Sequence, residues 1–454
     1  MRKIAIIGGG GVRTPLLLHG LAQAQQFLET GEVVLFDIDP NRTDVIARLG
    51  PEVLRRLNGG FQIRTTANLE DAVHDADFVV NSLRAGGMAG RARDEHIAIE
   101  HGLAGQETTG PCGAAMALRT IPIALEYART VERVAPAAWF INFTNPAGLI
   151  TQALLSRTAV RVVGICDTPV ELFHRIADTI GEPYHDCEFD YAGLNHLGWI
   201  RSIRLRGEDI TERILGDTEL LRLLYPADLF DPKLIQTLRL IPTEYLFFYY
   251  GQRKAYRNQV QAGTSRGAEL QRLNQDLFQQ LEAAKEDKAA FALYREYLMR
   301  RNASYMKLEG EGGSAFRGMK DDQDPFDLAT GYHRIAVDVM TALVSDKQRS
   351  IVVNVANRGA IEELEDDDVV EVPCQVNRDG VCPLHTGRLP DSVRGLVESV
   401  KAYERTTIEA SLRCSRALAQ LALLEYPIVG QWDVAGEVLH SLCEGDPQGL
   451  GYLR

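Results

Sequence analysis

Four consecutive glycines, Gly8 to Gly11, directly follow a short apolar run, KIAII at residues 3–7, and precede a segment with helical apolar spacing. Few architectures use that arrangement. An apolar strand that ends in glycines and turns into a helix opens a parallel α/β unit. The glycines let the backbone reverse tightly and bring helix amides close to an anion. The helix is expected over residues 14–28, TPLLLHGLAQAQQFL, with Thr14 as N-cap and Pro15 at the first helical position. Further buried strands are read at 33–39, 76–83, 139–144 and 160–166, with helical stretches between them, notably around 114–134. Apolar strands alternating with helices imply a doubly wound parallel sheet.

The second half has a different pattern. Residues 189–207, FDYAGLNHLGWIRSIRLRG, alternate like a hairpin; 214–306 are mostly helical, as are 329–346 and 389–424; 352–359 and 369–376 read as strands. The Gly- and Asp-rich stretch 310–326 reads as a loop. The expected fold class is therefore α/β: a Rossmann-like nucleotide-binding unit over residues 1–168 and an α+β substrate unit over 169–454, with the active site between them. A chain of 454 residues suits two such units.

The formal net charge of −13 disfavours nucleic acid and anionic membranes as partners. An anionic substrate would need a local cluster of arginine or lysine. The seven cysteines are scattered and form no CxxC pair, which argues for a reducing cytoplasm and against a disulfide framework. The apolar run IAII is too short for a signal peptide, and no apolar stretch is long enough to span a membrane.

At the glycine turn, Gly8, Gly9, Gly10 and Gly11 are the candidate cofactor-binding residues, although Arg13 stands where a third spaced glycine would be. Asp37, at the end of the second strand, suits the adenosine ribose hydroxyls and favours NAD over NADP, because a 2′-phosphate would meet its charge. Arg42 is near enough to soften that preference, and Asp39 reads as a solvated turn residue. A glycine turn without cofactor is the plainer alternative.

Four stretches are more specific together than any one alone: GQETTGP (105–111), NFTNPAG (142–148), GICDTP (164–169) and GLNHLGW (193–199). With the glycine-rich start, NVANRGAI (354–361) and VVEVPC (369–374), they resemble glycoside hydrolase family 4 over nearly the whole chain. That resemblance implies a glycosidase needing NAD and a divalent metal, Mn²⁺ in this family, and most similar to the 6-phospho-β-glucosidases. The implied substrate is a phosphorylated disaccharide or aryl glycoside, and the implied working form is a homo-oligomer, a dimer or tetramer. The implied chemistry is a redox cycle. Hydride leaves C3 of the sugar for NAD⁺, the C2 proton becomes acidic and is removed, and the C1 leaving group is eliminated. Water then adds, and hydride returns to C3.

Cys166 and His196 are the expected metal ligands. A thiolate and an imidazole can share one cation and leave positions open, and donor softness alone would suggest zinc. Either residue alone reads better as a core cysteine or a satisfied buried histidine. The resemblance implies Tyr245, in TEYLFFYY, as the base, with Tyr249 and Tyr250 as close competitors. It implies Glu107 as the carboxylate that raises this tyrosine's basicity, where a helix-start carboxylate is the alternative. Asp167 is the candidate acid for the leaving group, and by position it equally reads as an N-cap for the next helix. Asn145 matches a substrate-binding asparagine, with Asn142 nearby. Arg91 and Arg266 match arginines at the substrate and suit a 6-phosphate, with Arg84 a weaker third; surface ion pairs with Asp94 or Glu269 are the alternative.

Two positions depart from the family pattern: Gly11 where serine is common, and Cys112 where glycine is usual. Asp167 also occurs in phospho-α-glucosidases, so an α-glycosidase, phosphorylated or not, is the nearest alternative. An ordinary NAD-dependent dehydrogenase and a non-catalytic NAD-binding sensor are further ones, and neither needs Cys166, Asp167, His196 and Tyr245 together.

Overall fold

A computed structural model describes residues 1–225, 227–309, 324–328 and 330–454. The strands among them are β1 (Arg2–Ile7), β2 (Thr30–Phe36), β3 (Gln62–Thr66), β4 (Phe78–Asn81), β5 (Trp139–Asn142), β6 (Arg161–Gly164), β7 (Cys187–Leu194), β8 (Leu197–Leu205), β9 (Glu208–Asp209), β10 (Ile241–Pro242), β11 (Arg349–Ala356), β12 (Val369–Asn377) and β13 (Gly380–Pro383).

The first six strands are all parallel and lie in the order β3-β2-β1-β4-β5-β6. This is the dinucleotide-binding order, and its direction of winding reverses between β1 and β4. Their centres are apolar because helices cover both faces: Ile4–Ile7, Val33–Phe36 and Phe78–Val80 are buried. The second half forms no separate sheet. β11 joins the free edge of β6 antiparallel, and β12, β7, β8 and β10 follow in order. One continuous sheet thus runs through both halves. Non-local pairing of this kind leaves no periodic trace in a single chain.

Several local expectations shift. The helix expected over 14–28 is two, Thr14–Gln23 and Gln25–Leu28, broken at Ala24. Thr14 is inside the first of them, and Arg13 occupies the N-cap without a side-chain cap. Asp39 is no idle turn residue: its carboxylate accepts from the Arg42 amide and caps the helix Pro40–Ala47. The hairpin read at 189–207 is β7–β8, with Asn195 and His196 at its tip. Most of the loop expected at 310–326 lies outside the described residues; of it, Pro325 and Phe326 belong to a single 3-10 turn. Among the described residues no helix is long and apolar enough to cross a membrane.

Candidate functional site

The site residues gather where the parallel strands end. Gly8–Gly11 follow β1, Asp37 follows β2, Asn145 follows β5, and Cys166 and Asp167 follow β6. Ligands of doubly wound sheets bind along this carboxyl edge. Close packing explains two of the glycines. Gly8 has φ +83°, and a Cβ there would lie 2.8 Å from the Ser82 carbonyl oxygen. A Cβ on Gly9 would lie 2.7 Å from that of Leu35.

The loop's own amides are already engaged. Those of Gly8 and Gly9 donate to the Phe36 carbonyl, that of Gly10 to Asp37 Oδ2 at 3.0 Å, and that of Gly11 to the Gly8 carbonyl. The glycines therefore shape the turn; at the helix start the Thr14 amide donates to the Gly11 carbonyl and Pro15 has no N–H to give. Asp37 stands just beyond β2 against this loop, where the sequence placed it. Arg42 lays its guanidinium over the Phe278 ring at 4.0 Å, so its charge is held by an aromatic face. Arg13 lies over the Tyr332 ring at 3.6 Å and faces Asp167 and Glu107.

Cys166 Sγ and His196 Nε2 approach to 3.4 Å, and both side chains are buried. Two ligands bonded to one cation at about 2.1–2.3 Å, at tetrahedral or octahedral angles, stand roughly 3.1–3.6 Å apart. The pair fits a shared metal ion on this ground. The tautomer fits as well. Thr108 Oγ1 lies 3.0 Å from Gln106 Oε1, an acceptor, and 2.7 Å from His196 Nδ1. The hydroxyl gives its proton to Gln106, so Nδ1–H donates to Thr108 and Nε2 keeps its lone pair toward the thiol. Burial keeps the imidazole neutral, its pKa lowered to about 4. Burial, then the charges of Glu371 and Asp167, pushes the Cys166 thiol well above its usual value. The thiolate at this position needs a cation's charge. His196 adopts φ 61°, a left-handed conformation that costs a non-glycine residue about 1–2 kcal/mol and is found where a structure over-determines it. Among the described residues no third His, Cys, Asp or Glu completes a ligand set. A cation held by this pair would take its further ligands from outside this set of side chains, and substrate oxygens could supply them.

Packing places the three tyrosines differently. The ring of Tyr245 stacks on His196, with centroids 3.7 Å apart and 4° between planes. Tyr249 points away and hydrogen-bonds Tyr426 at 2.8 Å, while the Tyr250 hydroxyl is buried beside Trp199. Burial, with Tyr332 and Glu107 nearby, holds the Tyr245 phenol well above its usual value. Asp167 occupies the N-cap position of the helix Thr168–Ile180, but its side chain makes no capping hydrogen bond. Burial raises its carboxyl to about 6 against the pull of Arg13.

Glu107 is neither a helix-start carboxylate nor free. It lies between Arg84 and Arg91, hydrogen-bonded to both, and Asn145 Nδ2 approaches it at 3.4 Å. Burial opposes its charge, but the two arginines outweigh this and hold the carboxyl well below the usual range. Arg91 is buried and also pairs with Glu95 at 2.7 Å, not with Asp94, which belongs to Arg119. Arg266 contacts Ser304, donates to the Arg301 carbonyl at 2.9 Å and lies 3.5 Å from Glu269. Burial, then the like charges of Arg301 and Arg91, lowers its pKa. Asn142 is not a substrate group. It is fully buried, its oxygen accepts from Asn81 and Thr144, and its amide reaches Thr144, Ala147 and Thr151. Cys112 is buried beside Arg84, Arg91 and Glu107, as its sequence position suggested.

Thr108, Arg13, Arg301 and Tyr332 were missed as site residues. Thr108 lies inside the GQETTGP stretch, so a polar side chain there was visible, but nothing local pointed it at His196.

The model of the family 4 glycosyl hydrolases matches residues 3–182, and that of the same family's C-terminal domain matches residues 191–429. The chain is 32% identical to the 6-phospho-beta-glucosidase BglT of Thermotoga maritima over 98% of both chains. It is 28% identical to the phospho-alpha-glucosidase PagL of Clostridium acetobutylicum over 98% of this chain and 97% of that one. Among solved structures, the Thermotoga maritima 6-phospho-beta glucosidase with manganese, NAD+ and glucose-6-phosphate superposes with a TM-score of 0.83 at 30% identity, covering 100% of both chains. A 6-phospho-alpha-glucosidase from gut microorganisms with NAD and glucose-6-phosphate also gives 0.83, at 27% identity, over 100% of this chain and 99% of that one.

Proposed function

Since the chain belongs to glycosyl hydrolase family 4 and is thereby a glycosidase, we propose that it hydrolyses 6-phospho-β-glucosides with the help of NAD and Mn²⁺. The observation that carries the reading is the buried Cys166–His196 pair, with a lone pair directed at the thiol and the Tyr245 ring stacked on the imidazole. When bound, NAD supplies a hydride acceptor and the cation a Lewis acid. The relatives that resemble the chain at 30% identity or more, in Thermotoga maritima, Bacillus subtilis and Escherichia coli, carry the β-glucosidase name, and those named for α-glucosides or maltose phosphate stand at 26–28%.

The chain's own residues divide the work. Gly8–Gly11 shape the cofactor turn, and Asp37 takes the ribose hydroxyls. Tyr245 removes the C2 proton, and Asp167 gives a proton to the departing C1 oxygen. Glu107 organises Arg84, Arg91 and Asn145 around the sugar. Arg266 and Arg91, with Arg301, hold the 6-phosphate: like charges gathered in a largely buried space favour a dianion among them. Residues 1–168 act as the cofactor unit and 169–454 as the substrate unit, with β6 and β11 joining them in one sheet. The working form is a cytoplasmic homo-oligomer, and the cysteines, all unpaired, suit that compartment.

A panel of nitrophenyl α- and β-glucosides, with and without the 6-phosphate, tests the reading. Turnover of the phosphorylated β-glycoside alone is expected. Preference for the α-anomer would instead favour the second reading, which Asp167 supports. In the same assay Arg266→Ala should raise KM for the phosphorylated glycoside, since losing one partner of a desolvated charge pair costs about 2–5 kcal/mol. Equal losses on the unphosphorylated analogue would assign Arg266 to holding Ser304 and Arg301 in place.

A further inference from the structure

We infer that Glu371 is the positioning residue of the metal pair: its carboxylate ties the Asn195–His196 turn to the end of β6 and so sets the spacing of Cys166 and His196. This rests on reading that pair as a cation site. Glu371 is buried on β12. Its oxygens accept three hydrogen bonds, from the Tyr191 hydroxyl at 2.7 Å, Asn195 Nδ2 at 3.1 Å and Asn354 Nδ2 at 3.0 Å. Asn195 directly precedes His196. Asn354 is the register partner of Gly164, two residues before Cys166. One carboxylate therefore bonds the turn that carries His196 and the strand, β11, that pairs beside β6 two residues before Cys166.

The backbone alone is weak at this seam. β11 meets β6 through the single pair Asn354–Gly164, and β12 meets β7 through the single pair Glu371–Gly193. Both junctions use a glycine at which a side chain cannot fit. A Cβ on Gly164 would lie 2.2 Å from Thr151 Oγ1, and one on Gly193 2.3 Å from the Leu197 carbonyl oxygen. The Tyr191 hydroxyl reaches Glu371 through space left by Gly198, where a Cβ would lie 2.0 Å from it. At the hairpin tip His196 sits in its left-handed conformation, which the turn does not favour by itself. With few ladder bonds across the seam, the side-chain network aligns the two ligands. Both asparagine amides donate to Oε1 and the Tyr191 hydroxyl to Oε2; in a glutamine one of these oxygens becomes an N–H₂ group facing a present donor.

The test uses the metal-free full chain and three readouts: Mn²⁺ affinity by calorimetry, NAD affinity by fluorescence titration, and the thermal midpoint. Asn195→Ala removes only the link between the carboxylate and the turn. It should weaken Mn²⁺ binding 10–100-fold, the usual effect of losing an outer-shell partner, with NAD affinity and thermal midpoint as in the wild type. Glu371→Gln should weaken it at least as much. Wild-type Mn²⁺ affinity in Asn195→Ala overturns the inference. It does so even if Glu371→Gln fails to fold, since Glu371 would then serve the fold alone. If the wild type binds no Mn²⁺, or Cys166→Ser binds it equally well, the cation site itself falls and this inference with it. Loss of Mn²⁺ in Cys166→Ser, with unchanged affinity in both other variants, separates the two failures.

Discussion

Tyr245→Phe should lower kcat by about 10²–10⁴-fold, the usual contribution of a positioned general base. The change deletes one oxygen and keeps the ring, so the 3.7 Å stack on His196 and the surrounding packing should survive. Thermal stability and NAD affinity should therefore stay near wild type, which distinguishes a lost base from a damaged site. Isotopes make the same point without mutation. If the tyrosine removes the C2 proton, product formed in D₂O should carry deuterium at C2, and NAD should be required but not consumed. Stoichiometric NADH accumulation would indicate a dehydrogenase. Absence of both C2 exchange and a C2-deuterium isotope effect would eliminate proton abstraction as the mechanism. Tyr249→Phe is the matched control. Its hydroxyl bonds Tyr426 away from the pair, so kcat should change little.

Cys166→Ser should abolish activity by about 10³-fold or more while leaving a folded protein. Serine is nearly isosteric, but its hydroxyl stays protonated near neutrality and is a poor ligand beside an imidazole. The purified variant should retain no Mn²⁺ after gel filtration, measured by elemental analysis, and should still bind NAD, because the glycine turn lies after β1 and Cys166 after β6. Normal metal content with normal activity would return Cys166 to the role of a core cysteine.

Much of the fold was readable. The parallel strands and the helices between them follow from apolar runs and their spacing, and each expected strand overlaps an observed one. Strand ends moved by a few residues, as for β2, which stops at Phe36 although its pattern ran on to 39. The short strand β3 was overlooked because QIRTT is only half-buried at the sheet edge and carries no apolar run. The helix Trp432–Gly445 was overlooked too, although its buried Ala435, Val438, Leu439 and Leu442 keep helical spacing.

The sequence by itself determined the family and the glycine turn after the first strand, because those depend on short motifs: a strand ending in glycines, GICDTP and GLNHLGW. Tertiary structure alone decided what each group faces. His196 takes its tautomer from Thr108, 88 residues away, and its turn from Glu371 through Asn195, 176 residues from that carboxylate. Glu107 became the hub of two arginines and Asn142 a satisfied core group within the parallel half, where Asn81 and Asn142 face each other across β4 and β5, and Asp167 an uncapped, raised acid through burial. Apolar periodicity is local and can be read along the chain. A polar side chain's partner is set by which distant strand end lies opposite it, and that is fixed only when the sheet has closed.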